Sequence, residues 1–277
     1  MSGKFDHLMN NQIPYVNEDR ANIQPFIDGI ININNTFKIT TINVSGLNTT
    51  LKQEQVLNYM KINKISCLIV TETKLQTASA KMIYKDYKDI TTWWSCDDDN
   101  HFLTGVRIIM NNDYAKYVIK KDIIENQALK LTLLLKEKIR FTIIAIYNFS
   151  NNSHKDEILE FYMKLEEILT AEKKLQDKIV CIGDFNASYD TAIAQQRANR
   201  KIFWKDRIFQ ILKKNVIVDI NLIYHDKPGP RISPKQVISH TFGRLAHFSG
   251  LKKSFFVNIS ASSGPILMNF FLNCRAK

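Results

Sequence analysis

Two short runs of the chain are almost entirely apolar, and they constrain its fold more than any other feature. One runs from Ile65 to Thr71, and the other from Ile179 to Ile182. A strand without polar alternation has to be covered on both faces, because neither face can be left to water. We therefore predict a β-sheet whose central strands are buried from both sides.

Helical and strand patterns alternate around these two runs. A helix is predicted from Thr50, with Leu51, Val56, Leu57 and Met60 on its inner face, because apolar residues recur there at helical spacing. Further helices are predicted at His154–Lys174 and Gln195–Lys214, and strands at Phe37–Val44, Gly105–Met110, Leu129–Leu135, Ile139–Ile146 and Val216–Ile223. Such an order is typical of a layered α/β or α+β architecture in which helices cover β-sheets.

Composition excludes several classes of protein. Of the 277 residues 45% are hydrophobic and 23% charged, which excludes a wholly disordered chain. No apolar run is long enough for a membrane span, and the N-terminus has no apolar core of a secretory signal. The four cysteines (Cys67, Cys96, Cys181, Cys274) have no C-x-x-C spacing. We therefore expect reduced thiols without disulfides, in an intracellular protein of the nucleus or cytoplasm. The sequence does not indicate the oligomeric state.

Positive charge is concentrated near the C-terminus. The net charge is +11, but the segment from Lys227 to Lys277 holds eight of the 38 Lys and Arg residues and none of the 27 Asp and Glu residues. Net charge alone is therefore weak support for nucleic-acid binding.

Several polar residues lie near or just after the ends of the predicted strands. Asn43 lies in the first strand, Glu72 follows Ile65–Thr71, and Asp184 and Asn186 follow Ile179–Ile182. A carboxylate at the end of a buried strand is held rigidly at the rim of a cleft, and Mg²⁺ takes only one or two protein carboxylates. Each acid could instead be a solvated turn residue. Tyr147, after another strand, could donate to a phosphate oxygen or simply close the strand.

Five short stretches resemble the endonuclease/exonuclease/phosphatase superfamily, in particular the endonuclease domains of non-LTR retrotransposons, which are similar to apurinic-site endonucleases. They occur in the order of that family over Phe37–Phe242, and are Ile42–Leu47, Val70–Leu75, Gly105-Val106, Ile146-Tyr147 and Ile182–Ala187. The resemblance implies a four-layer α/β sandwich with two packed β-sheets, and hydrolysis of a phosphodiester in DNA assisted by Mg²⁺ or Mn²⁺.

The resemblance also implies a role for each candidate residue. Asn43 and Glu72 would hold or orient the metal, and Tyr147 would contact the scissile phosphate. Asp184 would orient or deprotonate the attacking water, and Asn186 would stabilise the transition state.

The chain departs from the family after Ala246. The family's Ile-Asp and Ser-Asp-His motifs are missing, and no Asp or Glu follows Asp226. His240 and His247 stand in no Ser-Asp-His context. Near Tyr147, Phe149 and Ser150 replace the Pro and Asn that are common in the family. We expect an N-terminal extension (1–35), a family-like domain (36–246) that is incomplete at its C-terminal end, and a divergent basic tail (247–277), of the kind that a frameshift or altered splicing would give.

Three functions remain open. The first is a retroelement-type DNA endonuclease whose catalysis is impaired by the missing motifs, and these leave open whether the chain is still an enzyme. The second is a phosphatase or phosphodiesterase of the same superfamily. The third is a non-catalytic nucleic-acid binder that uses the basic tail, with Trp93 and Trp94 as stacking platforms; core packing is the alternative for these tryptophans.

Overall fold

The strands and helices form two β-sheets with helices outside them. The computed structural model describes residues 36–96, 105–135 and 138–219, and the two strands 254–258 and 266–271. Its strands are β1 (Thr36–Asn43), β2 (Cys67–Thr71), β3 (Ile90–Ser95), β4 (Val106–Asn111), β5 (Val118–Ile124), β6 (Ala128–Leu134), β7 (Arg140–Tyr147), β8 (Lys178–Asp184), β9 (Ile217–Asp219), β10 (Ser254–Asn258) and β11 (Ile266–Phe271). Its α-helices are α1 (Thr50–Ile62), α2 (Thr77–Met82), α3 (Asn112–Ala115), α4 (Lys155–Lys174), α5 (Tyr189–Arg197) and α6 (Arg207–Lys214).

Each sheet contains a parallel pair of strands at or near its centre. The first sheet has the order β11-β1-β2-β4-β3, and the second has the order β5-β6-β7-β8-β10-β9. β1 runs parallel to β2, and β7 runs parallel to β8. The predicted hairpin of β6 and β7 is confirmed, with Leu131 opposite Ile143.

Three apolar clusters divide the structure into four layers. The central cluster joins the inner faces of both sheets, with Phe37 and Ile69 from the first and Ile143 and Val180 from the second. A second cluster lies between the first sheet and α1 and α2, and a third between the second sheet and α4, α5 and α6. This order of helices, sheet, sheet and helices confirms the predicted four-layer α/β sandwich.

The region predicted as one helix over Gln195–Lys214 is two helices, so that prediction was wrong. α5 ends at Arg197, and Asn199 takes a left-handed conformation (φ 52°). The amide of Asn199 donates to Gln196 O and that of Arg200 to Gln195 O, which is the Schellman arrangement that ends helices. α6 starts afresh after a 3₁₀ turn at Trp204–Asp206.

The inner face predicted for α1 was wrong in one residue. Val56 and Met60 are buried, but Leu51 is 66% exposed. Five helical positions separate Leu51 from Val56, which places them about 140° apart around the axis. The cap is formed by Thr49, whose side chain accepts from the amide of Lys52.

The C-terminal region contributes one strand to each sheet. β10 lies between β8 and β9, and β11 pairs with β1 at the edge of the first sheet. Residues 1–35 and most of 247–277 lie outside the described residues, as do His240 and His247, so the three predicted segments remain predictions. Within the described part of the chain, Cys67, Cys96 and Cys181 form no disulfide. No helix there has the length and apolar character that crossing a membrane requires.

Candidate active site

The first half of the site is formed where β1 and β2 end. Asn43 is the last residue of β1 and lies opposite Thr71 in the parallel pair, so Glu72 follows directly beside it. The segments that follow β1 and β2 stay hydrogen-bonded to each other beyond the sheet, because the amides of Val44 and Gly46 donate to Thr71 O and Glu72 O. Glu72 has a φ of 53°, a conformation that non-glycine residues adopt rarely and that here turns the chain out of the strand.

A lysine closes the loop that follows Asn43. The ammonium of Lys52 donates to three consecutive carbonyls, those of Val44 (2.9 Å), Ser45 (3.2 Å) and Gly46 (3.1 Å). The amide of Ser45 in turn donates to Oδ1 of Asn43 at 3.0 Å. The oxygen end of the Asn43 side chain is therefore fixed by its own loop, and its nitrogen end faces the site.

The second half of the site is formed where β7 and β8 end. Tyr147 and Asp184 lie opposite each other in this parallel pair. Gly183 precedes the aspartate with a φ of 147°, and a Cβ atom there would lie 1.9 Å from the carbonyl oxygen of Ile146. Only glycine permits this approach of the two strands, which is the reason for a glycine before Asp184.

The Asn43 amide joins the two halves. Its Nδ2 atom donates to Oε1 of Glu72 at 2.9 Å and to Oδ2 of Asp184 at 3.1 Å. The hydroxyl of Tyr147 lies close to the carboxylate of Glu72. Asn43, Glu72, Tyr147 and Asp184 therefore converge in one place.

Asp184 is fully buried, and its surroundings favour a carboxyl group that gains and loses a proton near neutral pH. Burial raises its pKa to about 6, with a smaller contribution in the same direction from the charge of Glu72. Hydrogen bonds from the Asn186 amide and from Asn43 lower the pKa, but by less than burial raises it. Burial and the nearby carboxylates also raise the pKa of Tyr147, whose hydroxyl therefore keeps its proton.

Asn186 contacts the site through its backbone. Its amide donates to Oδ1 of Asp184 at 3.1 Å, and its φ is 43°. Its side-chain Nδ2 donates to the carbonyl of Asn148 at 2.6 Å. One side-chain N–H thus remains for a ligand, and the position of that N–H depends on Asn148.

Solved structures share this fold, although no protein-family model and no curated protein matches the sequence. The chain is similar to the AP endonuclease LMAP from Leishmania major, with a TM-score of 0.58 and 16% identity over 73% of this chain and 74% of that one. It is also similar to the 3′ phosphatase NExo from Neisseria bound to a product DNA hairpin, with a TM-score of 0.52 and 20% identity over 69% and 76% of the two chains. A third similar structure is the catalytic domain of APE2 from Xenopus laevis, with a TM-score of 0.50 and 12% identity over 67% and 69%.

The chain has the endonuclease/exonuclease/phosphatase fold. At these identities the likeness concerns the fold, so the role of each residue follows from its own surroundings. Within that fold, Asn43, Glu72, Tyr147 and Asp184 all lie at the edge where two parallel strand pairs end, one from each sheet.

The oxygen atoms of the candidate site suit a hard cation. Among the described residues, no group of three or more His, Cys, Asp or Glu side chains could hold a metal ion. Mg²⁺ does not require such a group, because it binds through one or two carboxylates and retains several waters. The Glu72 side chain is 16% exposed and is therefore reachable, and Asn43 orients its carboxylate through the hydrogen bond from Nδ2 to Oε1. These residues fit a magnesium or manganese ion.

The sequence did not single out two contributors to the site. Lys74 lies on its rim, with Nζ 3.6 Å from Oε2 of Glu72. Asn148 is fully buried beneath the site and holds Asn186. The position of Asn148 directly after Tyr147 could have identified it, since the residue after a strand end is held as firmly as the strand.

Trp93 and Trp94 pack within the protein. Trp93 contacts the central cluster, whereas Trp94 contacts the cluster under α1 and α2. The guanidinium of Arg107 lies 3.4 Å from the centroid of the Trp94 ring. Both side chains are half-buried, and these contacts agree with core packing, the alternative to base stacking.

Proposed function

We propose that the chain is a metal-dependent phosphodiesterase that cleaves DNA, of the type found in retroelement endonuclease domains, and that its catalysis is impaired. One observation carries the proposal: the Asn43 amide bridges the carboxylates of Glu72 and Asp184, which come from different sheets. Two carboxylates held together in this way, beside a tyrosine hydroxyl, suit the hydrolysis of a phosphodiester.

In this reaction a water oxygen attacks phosphorus, and the bond between phosphorus and the leaving oxygen breaks. Asp184 would accept the proton of the attacking water, because a base with a pKa near 6 is largely ionised at neutral pH and still accepts a proton effectively. Tyr147 and the free side-chain N–H of Asn186 would donate to the phosphate oxygens, where negative charge increases. Mg²⁺ or Mn²⁺ held by Glu72, whose carboxylate Asn43 orients, would supply Lewis-acid chemistry when bound.

Impaired catalysis follows from the missing C-terminal motifs. With no Asp or Glu after Asp226, no acid can take the place of either lost aspartate. Residues of one catalytic site act as a unit, so the loss of a partner commonly lowers the rate by several orders of magnitude. We therefore expect slow cleavage, measurable at high protein concentration and long incubation.

DNA is the proposed substrate for two reasons. Glu72–Leu75 and Asp184–Ala187 resemble the corresponding stretches of retroelement endonucleases. One structure with the same fold was determined with a product DNA hairpin. That structure is also a 3′ phosphatase, so release of a terminal phosphate from DNA is the second candidate activity.

Nicking of supercoiled plasmid in the presence of Mg²⁺ tests the proposal. We expect slow conversion to the open circular form, abolished by EDTA and by Asp184→Ala. The control is Asp86→Ala, which removes an exposed aspartate and should leave cleavage unchanged. Cleavage that persists in Asp184→Ala would contradict the assignment of the site.

Release of phosphate from a 3′-phosphorylated oligonucleotide without nicking would favour the phosphatase. Salt-sensitive DNA binding without either reaction would favour the non-catalytic binder.

A further inference from the structure

We infer that Tyr162 and Lys205 are positioning residues, which place Asn186 through Asn148 and hold the loop after β7. The inference rests on the proposed function, since it concerns a side chain of the proposed site. Neither residue belongs to the stretches that resemble the superfamily. Both are buried in the layer outside the second sheet, where Tyr162 comes from α4 and Lys205 from the 3₁₀ turn before α6.

The loop that follows β7 contains no proline between Asn148 and His154. A proline restricts the backbone by itself, because its ring fixes φ. Without a proline, the conformation of this loop depends on its contacts with the rest of the protein.

Asn148 links the loop to both ends of the Asp184–Asn186 stretch. Its backbone amide donates to Asp184 O at 2.9 Å. Its carbonyl accepts from Nδ2 of Asn186 at 2.6 Å. A displacement of Asn148 would therefore move the Asn186 side chain directly.

Tyr162 fixes the Asn148 side chain. Nδ2 of Asn148 donates to the Tyr162 hydroxyl at 2.7 Å, and that hydroxyl donates to Lys205 O at 2.6 Å. The tyrosine is 3% exposed, so water does not compete with either bond. Hydrogen bonds in such an environment are strong and directional, and they restrict the groups that they join.

The 3₁₀ turn holds both loops at once. The ammonium of Lys205 donates to Ser150 O, in the loop after β7. Oδ1 of Asp206 accepts from the amide of Ser188, two residues beyond Asn186, at 2.6 Å. The turn therefore connects the loops after β7 and β8, which carry the proposed phosphate-contacting side chains.

Asn186 requires this support because its backbone is in a sparsely populated conformation. With a φ of 43°, it would relax to a commoner conformation if its contacts were lost. Catalytic groups have to be held within about 0.5 Å of their productive geometry. The chain from Asn186 through Asn148 to Tyr162 provides this restraint.

The test compares Tyr162→Phe with a matched control, Tyr84→Phe. Tyr84 is also buried, and its hydroxyl donates to a backbone carbonyl, Gln53 O, at 2.7 Å, but it lies in the layer outside the first sheet. The first readout is the ¹⁵N–¹H signal of the Asn186 side-chain amide, assigned by its absence in Asn186→Ala. We expect this signal to shift and broaden in Tyr162→Phe and to stay unchanged in Tyr84→Phe. An unchanged signal in Tyr162→Phe would overturn the inference.

The second readout is the rate of plasmid nicking. We expect Tyr162→Phe to lower kcat about tenfold with KM little changed, because a misplaced group weakens the transition state more than substrate binding. In the Asn186→Ala background, Tyr162→Phe should not lower the rate further. If the double variant instead loses the product of the two single losses in rate, Tyr162 does not act through Asn186.

The two readouts separate this inference from the proposed function. If the wild-type protein does not cleave DNA, the proposed function fails and the amide signal alone decides the positioning role. If Tyr162→Phe does not fold, Lys205→Met replaces it, because methionine keeps most of the side chain and removes the bond to Ser150 O. The amide signal of Asn186 should then shift in Lys205→Met, and an unchanged signal would overturn the inference.

Discussion

The side-chain nitrogen of Asn43 lies 3.1 Å from a carboxylate oxygen of Asp184, across 141 positions of the sequence. The first residue ends a strand of one sheet, and the second ends a strand of the other. The contact therefore fixes how the two sheets meet at the edge that carries the candidate site. It also places a neutral amide between two acids, Glu72 and Asp184, which limits their mutual repulsion.

The burial of Asp184 makes the stability of the protein depend on pH. Its folded-state pKa is about 6, above the ordinary aspartate pKa of 3.8, so the folded protein retains this proton to higher pH than the unfolded chain does. The resulting stabilisation is complete below about pH 4 and is lost as the pH rises through about 6. Replacement by Asn removes this dependence. Between pH 4 and pH 7, the stability of Asp184→Asn relative to wild type should therefore rise by roughly 2–3 kcal/mol.

Urea unfolding in EDTA at several pH values measures this difference. EDTA keeps divalent ions from adding a second pH effect. The absolute offset also reflects hydrogen bonds that asparagine cannot reproduce, so only the change with pH is informative. A difference that stays constant from pH 4 to pH 7 would contradict the assigned direction of the pKa.

Divalent metal should stabilise the folded protein through Glu72. A ligand present at about 100 times its dissociation constant adds about 2.7 kcal/mol to the free energy of unfolding. We expect Mg²⁺ to raise the Tm of the wild-type protein in calorimetry, and Glu72→Gln to remove most of this increase. Glu166→Gln is the control, because Glu166 pairs only with Lys214 on the surface among the contacts described. An equal Mg²⁺ effect in all three proteins would place the metal elsewhere.

Gly183→Ala should destabilise the protein much more than Gly46→Ala. Both glycines have a positive φ, so both substitutions introduce backbone strain. At Gly183 the new Cβ would also lie 1.9 Å from Ile146 O, whereas at Gly46 the nearest atom outside its chain neighbours is 3.8 Å away. We expect a loss of about 3 kcal/mol or more for Gly183→Ala and about 1 kcal/mol for Gly46→Ala. Chemical denaturation of both variants tests the order, and equal losses would show that the strands separate freely at this point.

A buried ion pair joins the second sheet to α4. Lys130 is 3% exposed, and its ammonium pairs with Glu172 of α4 and with Asp122 of β5. Lys130→Met would leave Glu172 buried without this cation, and removal of one partner of a buried pair commonly costs about 3–5 kcal/mol. The double variant Lys130→Met/Glu172→Leu should recover much of that loss, because no unpaired Glu172 charge remains. Additive losses in a double-mutant cycle would argue against a direct coupling of the two side chains.

Local pattern was enough to predict the elements whose burial is the same along their length. β2 and β8 lie close to their predicted positions because a short apolar run rich in β-branched residues is typical of a strand covered on both faces. α4 was equally clear, since its inner face repeats over 20 residues. The long helix predicted over Gln195–Lys214 was wrong because Asn199 ends α5 through two backbone hydrogen bonds, which apolar spacing does not reveal. β5 was missed because three exposed residues in succession, Ile119–Lys121, interrupt its alternation.

The candidate site was likewise predictable only in part. The apolar runs were enough to predict that Glu72, Tyr147, Asp184 and Asn186 follow strands and that Asn43 lies within one. No sequence pattern indicated that the Asn43 amide bridges two carboxylates, or that the side-chain amide of Asn186 donates to the Asn148 carbonyl. The difference lies in sequence separation. Neighbouring residues specify a strand, whereas the contact of Asn43 with Asp184 exists only after two sheets have packed face to face.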